Sequence, residues 1–203
     1  MRPRARRPSA LVLAAGASTR FRGAKQLARL RGEPLVAWAV DAIPPSRVGE
    51  VVVVVGHESA AVAKALGRRR VRLVENPDYR RGMASSIAKG VAALERGSPG
   101  VLLLLADQPF VSRGLVGRVL EAFEEGGGER LVAADYGGFV APPAAFPRAY
   151  FGDLSGLRGD RGARSILDAN ASSLVRVRVR RRRAALDVDT KADLDEARRL
   201  LDG

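Results

Sequence analysis

Ala10-Leu11-Val12-Leu13-Ala14-Ala15-Gly16-Ala17-Ser18-Thr19-Arg20-Phe21-Arg22-Gly23-Ala24-Lys25-Gln26-Leu27 opens on an uninterrupted apolar run and dissolves into small residues and cations. Its first five positions predict a short strand buried on both faces, as in a parallel sheet covered by helices on each side. Small residues after such a strand let backbone N–H groups approach phosphate oxygens, and Arg20 and Lys25 then neutralise them. The segment therefore reads as a phosphate cradle, with a plain strand-to-helix turn as the alternative. It is neither G-x-G-x-x-G nor G-x-x-x-x-G-K-[ST], so dinucleotide-oxidoreductase and P-loop readings lose their main support.

Outward from this stretch, short buried strands alternate with amphipathic helices to the end of the chain. Further strands are expected at 50–55, 71–74, 101–105, 131–134 and 174–179. Helices are expected from Pro34, at 58–66 and 83–95, after the capping residue Ser112, at 164–169 and at 191–201. Val101 to Leu105 has no polar alternation, predicting a central strand that ends abruptly at Asp107-Gln108-Pro109. Glycine and proline crowd together from Gly137 to Gly162, which predicts a loop-rich insertion over one end of the sheet. Trp38 and Phe123 fall within apolar helical patterns and are assigned to the core, and the single histidine, His57, to a loop. The fold class is α/β: a three-layer α/β/α sandwich with a mostly parallel, mixed sheet. A single domain spans 10–203, and 1–9 form a flexible basic arm.

Composition narrows the chemistry. The 203 residues are 46% hydrophobic and 28% charged, enough for one large core and far from a disordered or membrane composition. Without cysteine and with one histidine, thiol nucleophiles, disulfide frameworks and Cys- or His-built zinc sites are excluded, leaving hard-metal chemistry on carboxylates. The start is basic, but the apolar stretch behind it ends by Ser18, so a soluble cytoplasmic protein is expected. Only four of the 35 cationic residues are lysines, and the +13 net charge concentrates in the N-terminal arm, Arg68–Arg70 and the run from Arg176 to Arg183.

Leu13 to Lys25 closely resembles the L-A-[AG]-G-x-S-x-R-x-G-x-x-K signature of the MobA-like nucleotidyltransferases. Further resemblance follows in order: Asn76-Pro77, Gly82-Met83-Ala84-Ser85-Ser86, Leu105-Ala106-Asp107-Gln108-Pro109, Gly159-Asp160-Arg161-Gly162-Ala163-Arg164 and Asp187-Val188-Asp189-Thr190. Together these cover 10–202 and look most like the molybdenum cofactor cytidylyltransferase branch. That branch usually carries Gly-His-Pro before the Gly-Asp-x-Gly-Ala-Arg segment, where this chain has Val140-Ala141-Pro142-Pro143. The departure bears on the acceptor more than on the chemistry.

The resemblance implies a Rossmann-like fold of the nucleotide-diphospho-sugar transferase type. It implies a Mg²⁺-dependent transfer of CMP from CTP to molybdopterin-bound molybdenum cofactor, with release of pyrophosphate and a molybdenum hydroxylase as a possible receiver. Arg20, Lys25 and Asp107 would be catalytic, and Leu13, Ala14, Ala15, Gly16, Ser18, Lys25, Gly82, Ser85, Ser86 and Asp107 would bind the nucleotide. Gly159, Asp160, Arg161 and Arg164 would clamp the acceptor, and Asp107 and Asp187 would hold the metal. Each has a structural alternative: Asp107 as a helix N-cap, Asp187 and Asp189 as caps of the last helix, Ser85 and Ser86 as first-turn residues, Gly159–Arg164 as a surface turn. Other phosphorylated acceptors (a sugar, a polyol or phospholactate) and a non-catalytic cofactor-delivery protein are the rival functions.

The basic runs carry no interleaved aromatic residues to stack bases. Any association with DNA or RNA is therefore expected to be sequence-independent and to vanish as salt rises, through counterion release alone. Tight binding at physiological salt in a gel-shift assay would refute this.

Overall fold

A computed structural model describes residues 6–16, 18, 20–21, 23–56 and 58–202. His57 lies outside them, as do Ala17, Thr19 and Arg22 of the cradle. In chain order the strands are β1 (Ser9–Ala14), β2 (Arg29–Leu30), β3 (Glu33–Pro34), β4 (Val51–Val55), β5 (Arg72–Glu75), β6 (Gly100–Leu105), β7 (Val132–Asp135), β8 (Val140–Pro147) and β9 (Val175–Arg178). The helices are α1 (Leu35–Asp41), α2 (Ser59–Leu66), α3 (Met83–Ala93), α4 (Arg113–Glu125), α5 (Phe151–Gly156), α6 (Arg164–Ala169) and α7 (Lys191–Asp202).

Seven strands form one sheet in the order β5-β4-β1-β6-β8-β7-β9. β8 runs antiparallel to both its neighbours, and the remaining pairings are parallel. Six strands therefore point the same way, and their carboxyl ends share an edge with the β7–β8 turn. Strand alternation divides the core. Val12, Val53, Leu102 and Leu104 pack with Val36, Val62, Val119 and Phe123 of α1, α2 and α4. On the other face, Leu11, Val54, Val101 and Leu103 pack with Ile87, Leu154 and Leu167 of α3, α5 and α6. This is the expected three-layer α/β/α sandwich. Gly90 lets α3 lie close to the sheet, since a Cβ there would stand 2.5 Å from Leu11 Cδ1.

A third cluster joins Phe21, Leu30, Leu35 and Phe110 to Val188, Leu194 and Ala197, bringing α7 back against the loops at the carboxyl edge of the sheet. Two helix caps decide which carboxylates are free at that edge. The Ser112 hydroxyl accepts from Leu115 N–H at 3.2 Å and caps α4, so Asp107 does not serve as its cap. The start of α7 is closed by a reciprocal pair: Asp193 N–H donates to Thr190 Oγ1, and Thr190 N–H donates to the Asp193 carboxylate. The carboxylates of Asp187 and Asp189 are thereby released from that role.

Two expectations are corrected. Gly137 to Gly162 is not a loop-rich insertion, because it holds the eight-residue strand β8 and helix α5. Proline normally disrupts an internal strand because it lacks an N–H. Here β6 pairs with β8 only from Ala144 onward, and the β7 register jumps from Ala133↔Ala144 to Ala134↔Ala141. Pro142 and Pro143 therefore fall in a bulge that demands no ladder bond. The basic arm also ends earlier than 9: Ser9 begins β1, Pro8 and Ser9 are buried, and the Pro8 carbonyl accepts from Gly49 N–H at 2.9 Å.

At the opposite edge of the sheet, Glu50 ties three segments together. Its carboxylate accepts from Ser9 Oγ (3.0 Å) and Glu95 N–H (2.6 Å), and pairs with Arg72 at 2.6 Å. Burial would raise its pKa, but these partners outweigh it and hold the carboxyl below its ordinary 4.5. A depressed folded-state pKa stabilises the fold above the unfolded value, and that stabilisation is lost as pH falls through the folded value. Glu50→Gln should lower stability by about 1–2 kcal/mol near neutral pH. Urea titrations of both proteins should show the difference closing below pH 4.5; a difference independent of pH would contradict the network.

Candidate active site

The candidate site stands at the carboxyl edge of β1 and β6, where open α/β sheets hold ligands. After β1 the chain turns through Ala15 and Gly16. Ser18 then adopts a left-handed backbone (φ 51°). Its hydroxyl contacts Gly16 O at 3.2 Å and accepts from Lys25 N–H at 3.3 Å, folding the cradle back on itself. A short 3-10 turn at Lys25–Leu27 follows, with Gln26 buried behind it.

Lys25 Nζ lies 2.6 Å from Asp107 Oδ2 and 2.8 Å from Asp189 Oδ1, and Arg20 pairs with the other Asp189 oxygen at 2.7 Å. The result is a continuous chain, Arg20–Asp189–Lys25–Asp107, linking three segments far apart in sequence. Burial pushes the Lys25 ammonium pKa down, but the charges and hydrogen bonds of Asp107 and then Asp189 override it and raise the value, keeping Lys25 charged. Val188, fully buried, donates its N–H to Asp107 O at 2.9 Å, leaving Asp187 and Asp189 on either side.

Asp187 is held by Gln108 Nε2 at 2.8 Å. Desolvation raises its pKa, the Gln108 bond opposes this, and the charges of Asp107 and Asp189 add to the rise. Asp107 Oδ1 is buried with no hydrogen-bond partner in the protein. An acceptor oxygen left bare beside a second carboxylate is the donor chemistry that a hard divalent cation takes up. Mg²⁺ fits such a sparse set because it keeps waters and substrate phosphate oxygens in its shell, using one or two carboxylates rather than a closed protein cage.

A cavity of about 240 Å³ opens beside these groups, lined by Leu13, Ala14, Ala15, Gly16, Lys25 and Asp107, with Gly82, Ser86 and Asp160 on its far side. Ser86 is buried and, with Ser85, accepts from Asn76 Nδ2. Ser85 bonds the carbonyls of Gly82 and Asp78 and lines a neighbouring hollow instead, so the structure separates the two serines. The Gly159–Arg164 segment divides as well. Asp160 reaches the cavity, whereas Arg164 lies over the Phe139 ring (5.3 Å) and pairs with Asp168 at 3.5 Å, and Arg161 is exposed. Gln26, Tyr79 and Arg80 also line the cavity, although no local pattern marks them, and Gln108 acquires its role only by meeting Asp187.

The family model described as the MobA-like NTP transferase domain matches residues 10–177. The chain belongs to this family. MobA-like relatives include the purine catabolism protein PucB of Bacillus subtilis, 30% identical over 205 residues covering 94% of this chain and 96% of that protein. Nicotine blue oxidoreductase of Paenarthrobacter nicotinovorans is 36% identical over 133 residues, covering 65% of this chain and 63% of its own length. Among solved structures, Rv0371c of Mycobacterium tuberculosis superposes with a TM-score of 0.86 at 26% identity, covering 97% of this chain and all of that one. Its complex with manganese gives a TM-score of 0.81 at 25% identity, covering 97% of this chain and 100% of that one.

Gly82 shapes the MobA-like cavity through its backbone. Its φ is 101°, and a Cβ there would stand 2.3 Å from Gly159 O, whose carbonyl already accepts from Ala84 N–H. Gly82→Ala is expected to cost about 1–3 kcal/mol and to unseat Asp160. Thermal denaturation with and without a nucleoside triphosphate would measure both effects, and an unchanged midpoint would show that the Gly159 contact is dispensable.

Proposed function

We propose that this MobA-like nucleotidyltransferase transfers CMP from CTP to the phosphate of the molybdopterin form of the molybdenum cofactor, with Mg²⁺ bound at Asp107 and Asp187. The observation that carries the reading is the bare, buried Oδ1 of Asp107 at the mouth of the small-residue cradle, with the Lys25 ammonium on the other oxygen. In this reaction an acceptor phosphate oxygen attacks the α-phosphorus and the bond to the bridging oxygen of pyrophosphate breaks. The bound metal would neutralise phosphate charge. Lys25 and Arg20 supply fixed positive charge where negative charge rearranges, and the Ala15–Gly16 turn lets the triphosphate approach the backbone. No side chain must exchange a proton, in keeping with a site built without cysteine or histidine.

Support for CTP comes from Ala15, since Leu13-Ala14-Ala15-Gly16 resembles the cytidylyl-transferring members of the family where the guanylyl-transferring ones resemble Leu-Ala-Gly-Gly, and from buried Ser86 lining the cavity as a small polar group for a pyrimidine edge. Support for a pterin acceptor comes from the ordered motifs. Val140-Ala141-Pro142-Pro143 keeps a second reading, transfer to another phosphorylated acceptor, in play. The retained Lys25 and Asp107 argue against a non-catalytic delivery protein.

Incubation with Mg²⁺ and each nucleoside triphosphate, with and without molybdopterin-bound molybdenum, should release pyrophosphate fastest with CTP plus acceptor. Equal turnover of GTP and CTP would overturn the base assignment while leaving the transfer chemistry. Asp107→Asn should abolish release in a folded protein, and Lys25→Ala should lower the rate about 10²–10³-fold. Rates within threefold of wild type for either variant would remove that residue from catalysis.

A further inference from the structure

On the flank of the sheet away from the nucleotide cavity, two open hollows of about 610 and 690 Å³ share Arg118, Val179 and Arg180 and so form one continuous groove. It follows β9, the edge strand of the sheet, between α4 and the chain leading to Asp187. Its deeper half is floored by Trp38, Phe110, Val111 and Leu115 and rimmed by Arg113, Arg118, Arg180, Arg181 and Arg183. Each hollow exceeds twice the catalytic cavity of about 240 Å³ and is more open, a shape suited to an extended chain rather than an enclosed small molecule.

The positive charge of the deeper half is unanswered by the fold. Arg180 and Arg181 make no ion pair among the described residues, nor does Arg178 beside them, while Arg113, Arg118 and Arg183 bond only to backbone carbonyls. The one carboxylate on the deeper half's wall, Asp41, is already paired with Arg69 at 2.7 Å. Glu121 and Glu125 stand only in the shallower half. Arg183 lies 5.5 Å over the Phe110 ring, joining rim to floor. Val175 and Val179 donate their N–H groups to Leu131 O and Asp135 O, so alternation aims the amides of Arg176 and Arg178 at the open edge. Arginine on an edge strand guards against self-pairing. That accounts for Arg176 and Arg178 but not for Arg113, Arg118 and Arg183 converging from other elements.

We propose that this groove docks an acidic, extended segment of another protein, added along the free edge of β9. The segment's carboxylates would meet Arg118, Arg180 and Arg181, and its apolar side chains the Phe110–Leu115 floor. The groove backs directly onto the catalytic loops. Pro109 and Phe110 follow Asp107-Gln108, and Arg183 and Ala184 precede Asp187. A partner seated there stands beside the site where product forms.

The probe is a fluorescein-labelled peptide alternating Glu and Leu, read by anisotropy at physiological salt. Binding to wild type, a loss of roughly tenfold or more in Arg180→Glu/Arg181→Glu, and a comparable loss when alternate peptide amides are N-methylated would support the proposal. No binding, equal binding by the charge-reversed protein, or indifference to N-methylation would overturn it. So would displacement of the peptide by duplex DNA at equal concentration, which would make the groove a general polyanion surface. Pyrophosphate release by the double variant should match wild type, so failure here leaves the transferase reading standing, and failure of that assay leaves this one.

Discussion

The ion-pair chain Arg20–Asp189–Lys25–Asp107 holds the carboxyl edge of the sheet together. It fastens the loop after β1, the end of β6 and the approach to α7 by charge, adding to the β1–β6 pairing and the third apolar cluster that already bring these segments together. Its charges are matched in the protein alone: the cations suited to phosphates sit on the carboxylates, two of which face a third in Asp187. Such an arrangement tolerates partial burial because each charge is answered. A nucleotide arriving with a divalent cation would offer both sets new partners of opposite sign at the same moment. Neither a free metal nor a free triphosphate does so alone, giving a physical reason for the two to bind together.

The chain holds its geometry because the apolar framework behind it is deep. β1 and β6 are buried on both faces, so their carboxyl ends are fixed by packing on either side of the sheet. Val188 adds a further constraint. With its side chain in the third cluster and its amide on Asp107 O, the neighbours at 187 and 189 are both turned toward the site. A hydrophobic residue thereby orients two carboxylates.

Much of this is legible in the sequence, for identifiable reasons. The runs at 10–14, 51–55 and 101–105 lack polar alternation and announce buried parallel strands, and Ser112 announces a cap. The cradle and Asp107 are readable because strand-end loops are local. Asp189 is legible in the sequence only as a cap of the last helix, since caps and ligands share a residue type; in the structure the Thr190–Asp193 pair takes the cap and Asp189 pairs with Arg20 and Lys25 instead. β8 is hidden because a bulge excuses its two prolines from pairing, a tertiary fact without a local signal. The run from Arg176 to Arg183 is plain in the sequence, but its convergence with Arg113 and Arg118 into one groove is not, as these lie far apart along the chain.

The reversed strand β8 has a consequence for how such a scaffold diversifies. The cradle and the carboxylates proposed for nucleotide and metal hang on β1 and β6 and the loop pinned to them, whereas the β7–β8 turn, with Tyr136 stacked on Phe139 at 5.2 Å, reaches the same edge from a hairpin. A hairpin can lengthen, shorten or exchange its tip without shifting any rung between β1 and β6. One half of the molecule can therefore stay constant while the other is rewritten, a division of labour that would let relatives keep one reaction and trade the molecules they modify.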